Sequence, residues 1–111
     1  MSDVMADQRE APRYPLILVA EVTGLTESTV LNARSSDVSR TGCYIDTLNP
    51  VPPGSQVRVR LRRGDEVFEA GARVAYICAG LGMGVTFEKN APQDQLAILD
   101  GWLSKAASSE F

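Results

Sequence analysis

The sequence predicts an all-β fold: a small six-stranded antiparallel barrel of the split-barrel kind, with one C-terminal α-helix. Three observations predict it. Short β-branched and aliphatic segments recur between glycines and prolines. One of them, Val57 to Arg62, alternates strictly between apolar and charged residues. After Pro92 the apolar period changes from that of a strand to that of a helix. Several short strands followed by one helix fit a closed sheet with the helix over an open end.

The elements follow in order. Residues 1–13 are polar, and Pro12 and Pro15 forbid a continuous helix, so this segment is expected to be a flexible arm. Tyr14 to Thr23 carries Leu16, Ile17, Leu18, Val19 and Val22 and suits a buried strand ended by Gly24. A second strand starts over Thr29 to Ala33. Residues 35–42 are polar and read as a turn, with a short strand from Cys43 to Asp46 after it. Pro50, Pro52, Pro53 and Gly54 mark a connection. Val57, Val59 and Leu61 then alternate with Arg58, Arg60 and Arg62, and Gly64-Asp65 is a two-residue hairpin turn into Val67–Ile77. Gly80 and Gly82 interrupt before a last strand, Met83–Glu88. Leu96, Leu99 and Leu103, widened by Ile98 and Trp102, give the apolar face of a helix. The expected organisation is an arm over 1–13, a barrel with its helix over 14–104, and a frayed tail over 105–111.

Composition narrows the function. The chain has 111 residues, enough for one hydrophobic core but not two. Hydrophobic residues make up 44% and charged residues 23%, ordinary globular values. The net charge of −3 argues against gripping long nucleic acid, which needs a basic face. With three Phe, three Tyr and one Trp, a stacking platform for single strands is also lacking. No apolar run approaches a membrane span, and Met1 to Gln8 has no apolar core of a secretory signal, so a cytoplasmic location is expected. Cys43 and Cys78 form no CxxC and are expected to be reduced thiols. There is no histidine, the commonest general base and metal ligand. The expectation is a binding protein without cofactor or metal, not an enzyme.

Two motifs carry chemistry. Arg9-Glu10-Ala11-Pro12-Arg13 is an RxxxR. In an extended segment its two guanidinium groups lie on one side, about 13 Å apart. Each suits a phosphate, or the paired N7 and O6 acceptors of guanine. Alone, the pair carries no weight and reads as solvated arginines on a loose arm. Asp37-Val38-Ser39-Arg40-Thr41-Gly42 is a DxSxxG. A carboxylate suits the N1–H and N2–H donors of guanine, a serine two positions on adds a hydrogen bond, and glycine permits close approach or a positive φ. Alone, this motif reads rather as an Asx-type turn bonding its own backbone.

Taken together, RxxxR, a separation of 24 positions from Arg13 to Asp37, and DxSxxG followed by Cys43-Tyr44-Ile45 resemble the PilZ domain. Gly82-Met83-Gly84-Val85-Thr86-Phe87 is similar to that family's closing GxGVxF strand. The resemblance runs from Arg9 to about Leu103, and each motif position holds the expected residue. It implies a six-stranded barrel with a C-terminal helix and a stand-alone receptor for cyclic di-GMP. Arg9 and Arg13 would contact phosphates and guanine, while Asp37, Ser39 and Gly42 would shape the base-binding surface. Arg40 is a further candidate contact, and Arg34 a weaker one. The arm would be a mobile clamp against a fixed wall, passing the signal to an unidentified downstream protein. Motility, exopolysaccharide or biofilm formation and pili are the outputs the resemblance suggests. The alternative is a PilZ-like interaction module that does not depend on nucleotide.

Other features are less specific. The glycines at 80, 82 and 84 lead into a strand, where a Rossmann fingerprint requires a helix. The arginine row at 58, 60 and 62 reads as a wet strand face or a docking stripe. Trp102 and Leu103 read as core or lid residues. Glu66 and Glu69 are three apart in an alternating strand and face opposite ways, so they form no acid/base couple.

Overall fold

The computed structural model describes residues 11–25 and 30–108. Six strands, β1 (Val19–Gly24), β2 (Val30–Val38), β3 (Gly42–Asp46), β4 (Gln56–Arg63), β5 (Glu66–Cys78) and β6 (Gly82–Phe87), precede one helix, α1 (Gln93–Ser108). The strands close into a barrel in the order β1-β2-β3-β6-β5-β4, every pairing antiparallel. Closure leaves no unpaired edge. The predicted fold class is the observed one.

Alternation builds the interior. Ala20 and Val22, Cys43 and Ile45, Val57, Val59 and Leu61, Phe68, Ala70, Ala72 and Val74, and Met83, Val85 and Phe87 all point inward and are buried. Phe68 and Phe87 meet at 5.1 Å between ring centroids, tilted by 59°, a favourable edge-to-face type of contact. Leu99 and Trp102 of α1 join the same core, so the helix covers one end of the barrel as its apolar face predicts. The Trp102 indole N–H donates to Glu66 Oε1 at 2.7 Å, giving the buried ring its polar partner. Gln95 Oε1 accepts the Glu69 N–H at 2.7 Å and holds the start of α1 against β5. Gly64 has φ +61° at the predicted hairpin turn, where Arg63 pairs with Glu66.

Three boundaries differ from the sequence reading. The regular ladder of the first strand begins at Val19, not Tyr14, because Pro15 has no N–H to donate. Tyr14 instead makes a single bridge to Val38. Residues 35–38 are not turn but the end of β2, their polar composition concealing a strand. The helix runs to Ser108, beyond the predicted start of fraying at 105, with Lys105 in its last turn where a cation complements the helix dipole.

Two register shifts interrupt the ladders. Ser35 faces Ile45 and Asp37 faces Tyr44, so Ser36 is an extra residue in β2. Val74 faces Val85 and Tyr76 faces Gly84, so Ala75 is an extra residue in β5. Each bulge reverses the alternation, re-aiming the next side chains.

Candidate functional site

Asp37 lies two residues after Ser35, which is fully buried. Unbroken alternation would send Asp37 inward as well. The extra residue at Ser36 instead turns Asp37 to the outer surface, beside Tyr44 of β3, and returns Val38 to the core opposite Cys43. The second bulge likewise turns Tyr76 outward, across Gly84 from Tyr44. The two tyrosine rings sit 6.3 Å apart over the glycines of β6. A Cβ on Gly84 would collide with the Tyr76 ring, and one on Gly82 would strike the Ile45 carbonyl and crowd the Tyr44 ring. Bare backbone in the closing strand therefore lets two aromatic rings lie close to the barrel wall.

Arg13 meets Asp37 on this face: Nη1 donates to Oδ1 at 3.1 Å. The segment that carries it is fixed by backbone. Tyr14 and Val38 exchange both N–H···O bonds at 2.9 Å, and Ser35 N–H donates to Leu18 C=O at 2.9 Å. The Ser35 hydroxyl donates to Leu16 C=O at 2.7 Å and accepts the Leu18 N–H at 3.1 Å. One buried serine thus satisfies the two groups that no ladder reaches there. From Tyr14 onward the chain is part of the wall, and Arg13 is already seated on it. Arg9 lies outside the described residues.

The remaining motif residues build the turn. Ser39 is buried. Its Oγ accepts the N–H groups of Thr41 and Gly42, each at 3.2 Å, and donates to Gly42 C=O at 3.2 Å, with Thr41 Oγ1 at 3.3 Å. The hydroxyl is taken up by its own loop, the arrangement of a serine-capped turn. Gly42 has no positive φ. It is required because a Cβ would collide with the Val85 carbonyl oxygen of β6. Its close approach is to a neighbouring strand.

Arg40 points away from Asp37 and pairs with Asp100 of α1, Nε to Oδ1 at 3.0 Å. It lines a groove of about 380 Å³ with Pro12, Tyr14, Asp100, Leu103, Ser104 and Ala107. That volume falls in the range of small-molecule sites. Alternation along the arm puts Pro12 and Tyr14 on the groove while Arg13 faces Asp37. Arg34 pairs across the strands with Asp46 at 3.2 Å, and Arg58 with Glu69 at 2.7 Å.

Two groups, Cys43 behind this face and Tyr44 on it, resist ionisation. Burial, reinforced by the Asp37 charge and only partly relieved by Arg13, pushes the Cys43 thiol up to about 12. A hydrogen bond with the Cys78 side chain, then burial and neighbouring ionisable groups, pushes the Tyr44 phenol up to about 12. Both cysteines are free thiols. Among the described residues no group of three or more Cys, Asp or Glu could hold a metal ion, and no helix is long and apolar enough to cross a membrane.

The sequence reading missed Ser35, Tyr44, Tyr76 and both bulges. Ser35 was within reach, since it continues the inward series Leu31, Ala33, Ser35 at period two. The bulges leave no compositional trace.

A six-stranded barrel with residues 14–18 fastened beside β2 and a helix over its end defines the architectural class. The chain belongs to the PilZ domain family, whose family model matches residues 7–105. Solved structures that share the fold include three PilZ-like examples. The Bacillus subtilis inhibitor of motility MotI/DgrA superposes with a TM-score of 0.72 at 18% identity, over 90% of this chain and 52% of that one. This chain therefore spans about half the length of MotI/DgrA. The PilZ domain of YcgR from Escherichia coli, described with c-di-GMP, gives 0.69 at 18% identity over 93% and 96%. The PilZ domain of CeSA from a cellulose-synthesising bacterium gives 0.66 at 19% over 90% and 99%. No curated protein matches the sequence significantly.

Proposed function

We propose that this chain is a cyclic di-GMP receptor that acts as a binding and adaptor module in bacterial signalling, not as an enzyme. The observation that carries the reading is the Arg13–Asp37 pair on the outer wall of a PilZ barrel. The pair is about half and one third exposed, so it stabilises the free protein by only about 0–1 kcal/mol. Its two partners are the chemistry a guanine nucleotide needs. Arg13 exchanges Asp37 for a phosphate or for the O6/N7 edge. Asp37 exchanges Arg13 for the N1–H and N2–H donors of guanine. Arg9, four residues earlier, supplies the second guanidinium, and Tyr44 offers a ring face beside the carboxylate, with the Tyr76 ring next to it.

Ser39 and Gly42 support the site by holding the turn and the strand approach that fix Asp37. Arg40 takes part by leaving Asp100, which loosens the motif turn from α1. With Arg13 already seated on the wall, the motif arm closes further on the ligand, and the charge-assisted hydrogen bonds gained must exceed the cost of holding it there. The closed arm is the signal read by a partner protein. The similarity to YcgR described with c-di-GMP and to an inhibitor of motility supports this reading. Calorimetric titration with cyclic di-GMP tests it: saturable binding is expected, and no heat at any concentration would favour a nucleotide-independent module.

A further inference from the structure

Around the start of β1 two exposed aliphatic side chains stand beside a row of arginines. Ile17 and Val19 are 68% and 61% exposed. Val19 lies in register between Arg34 of β2 and Arg62 of β4, and Glu21 lies between Asn32 and Arg60. Val19, Glu21, Arg60 and Arg62 line a shallow hollow of about 40 Å³. Arg60 approaches Glu21 only to 3.9 Å. Among the described residues Arg62 and Arg63 have no acidic partner. A chain of net charge −3 thus leaves Arg62 and Arg63, among those residues, without an acidic partner near exposed aliphatic side chains, while Arg34, Arg58 and Arg60 are paired.

We infer that this face docks an acidic segment of a partner protein, with one apolar side chain over Val19 and carboxylates on Arg60 and Arg62. The geometry suits an extended peptide. Arg60 and Arg62 lie two positions apart on one strand, about 7 Å, the spacing of carboxylates two residues apart in an extended chain. Arginine forks pair with carboxylates in bidentate fashion, and displacing the loose Glu21 contact costs little. A lipid surface fits less well. The net negative charge repels an anionic bilayer, and a flat strand face lacks the deep apolar side of an interfacial helix. The segment from Arg13 through Ile17 to Val19 runs along β2, so the face is continuous with the Arg13–Asp37 site. A partner seated there touches the edge that cyclic di-GMP would occupy. Docking itself does not require nucleotide.

The test is titration of the full chain with a short synthetic peptide, one leucine flanked by glutamates, followed through amide chemical shifts by NMR. Saturable shifts are expected at residues 17–21, at Arg34 and at 58–62. Arg62→Glu and Val19→Asp should each bind about tenfold more weakly, with the thermal midpoint and cyclic di-GMP affinity unchanged. Should either charge substitution lower the midpoint, Arg62→Gln serves as the milder variant. Equal binding of a lysine-flanked peptide, shifts centred elsewhere, or no saturation would overturn the inference. So would anionic phosphatidylglycerol vesicles perturbing these resonances when the peptide does not. Because nucleotide and peptide are titrated separately, either proposal can fail alone.

Discussion

Asp37 and Ser39 stand two residues apart in one motif, yet the molecule treats them in opposite ways. Asp37 faces outward and is held by one half-exposed ion pair. Ser39 is buried and fully engaged by its own turn. The same division runs through the neighbours. Arg13 and Tyr44 lie on the outer side, while Val38, Cys43 and Gly42 are fixed by packing and strand approach. The lesson is that the DxSxxG motif mixes exposed polar groups with architecture. Loss of an outer residue should remove function and spare the fold, whereas loss of an inner one should damage the fold first.

The harshest way to break the comparison is to charge the inner side. The folded state holds the Cys43 proton more tightly than the unfolded chain, whose thiol ionises near 9.0. Stability is therefore full below pH 9 and is lost as pH rises through 12, by on the order of 4 kcal/mol. Tyr44 acts in the same direction between 10.0 and about 12. Denaturant melts from pH 8 to 11.5 or so should fall steeply, and in Cys43→Ala the part of the loss due to the thiol should vanish while the later part stays.

Gly42→Val comes next. Its side chain would meet the β6 backbone at Val85 and Thr86, and a cost of about 3 kcal/mol or more is expected in thermal denaturation. Ser39→Ala leaves the Thr41 and Gly42 N–H groups without their acceptor, and a loss of about 1–2 kcal/mol is expected by the same assay. Arg40→Ala should be the mildest: its pair with Asp100 is half-exposed on both sides, and under about 0.5 kcal/mol is expected. A large loss there would mean that α1 depends on the motif turn.

Much of this division was legible in the residues. Period-two alternation predicted β4, Gly64-Asp65 predicted its hairpin, and the 96–99–103 spacing predicted α1. The motif spacing also pointed to the right family. What stayed hidden depends on register. Ser35 to Asp37 is polar because Ser35 joins a buried hydrogen-bond network while the bulge at Ser36 turns Asp37 to solvent, so composition mimics a turn. Tyr44 and Tyr76 become neighbours only because barrel closure sets β3 and β5 on either side of two glycines. The destination of the Ser39 hydroxyl likewise required the loop's geometry. Contacts between residues distant in sequence are set by pairing, and pairing is what a single sequence states least directly.

The central claim, that Asp37 supplies chemistry and not architecture, is tested most directly by one variant read in two ways. Asp37→Ala is titrated calorimetrically with cyclic di-GMP, and the same sample is melted. Removing a charged hydrogen-bonding partner should weaken binding about 10- to 100-fold. Losing a half-exposed ion pair should change stability by no more than about 1 kcal/mol. Undiminished affinity would contradict the account, as would a melt lowered as far as that of Ser39→Ala.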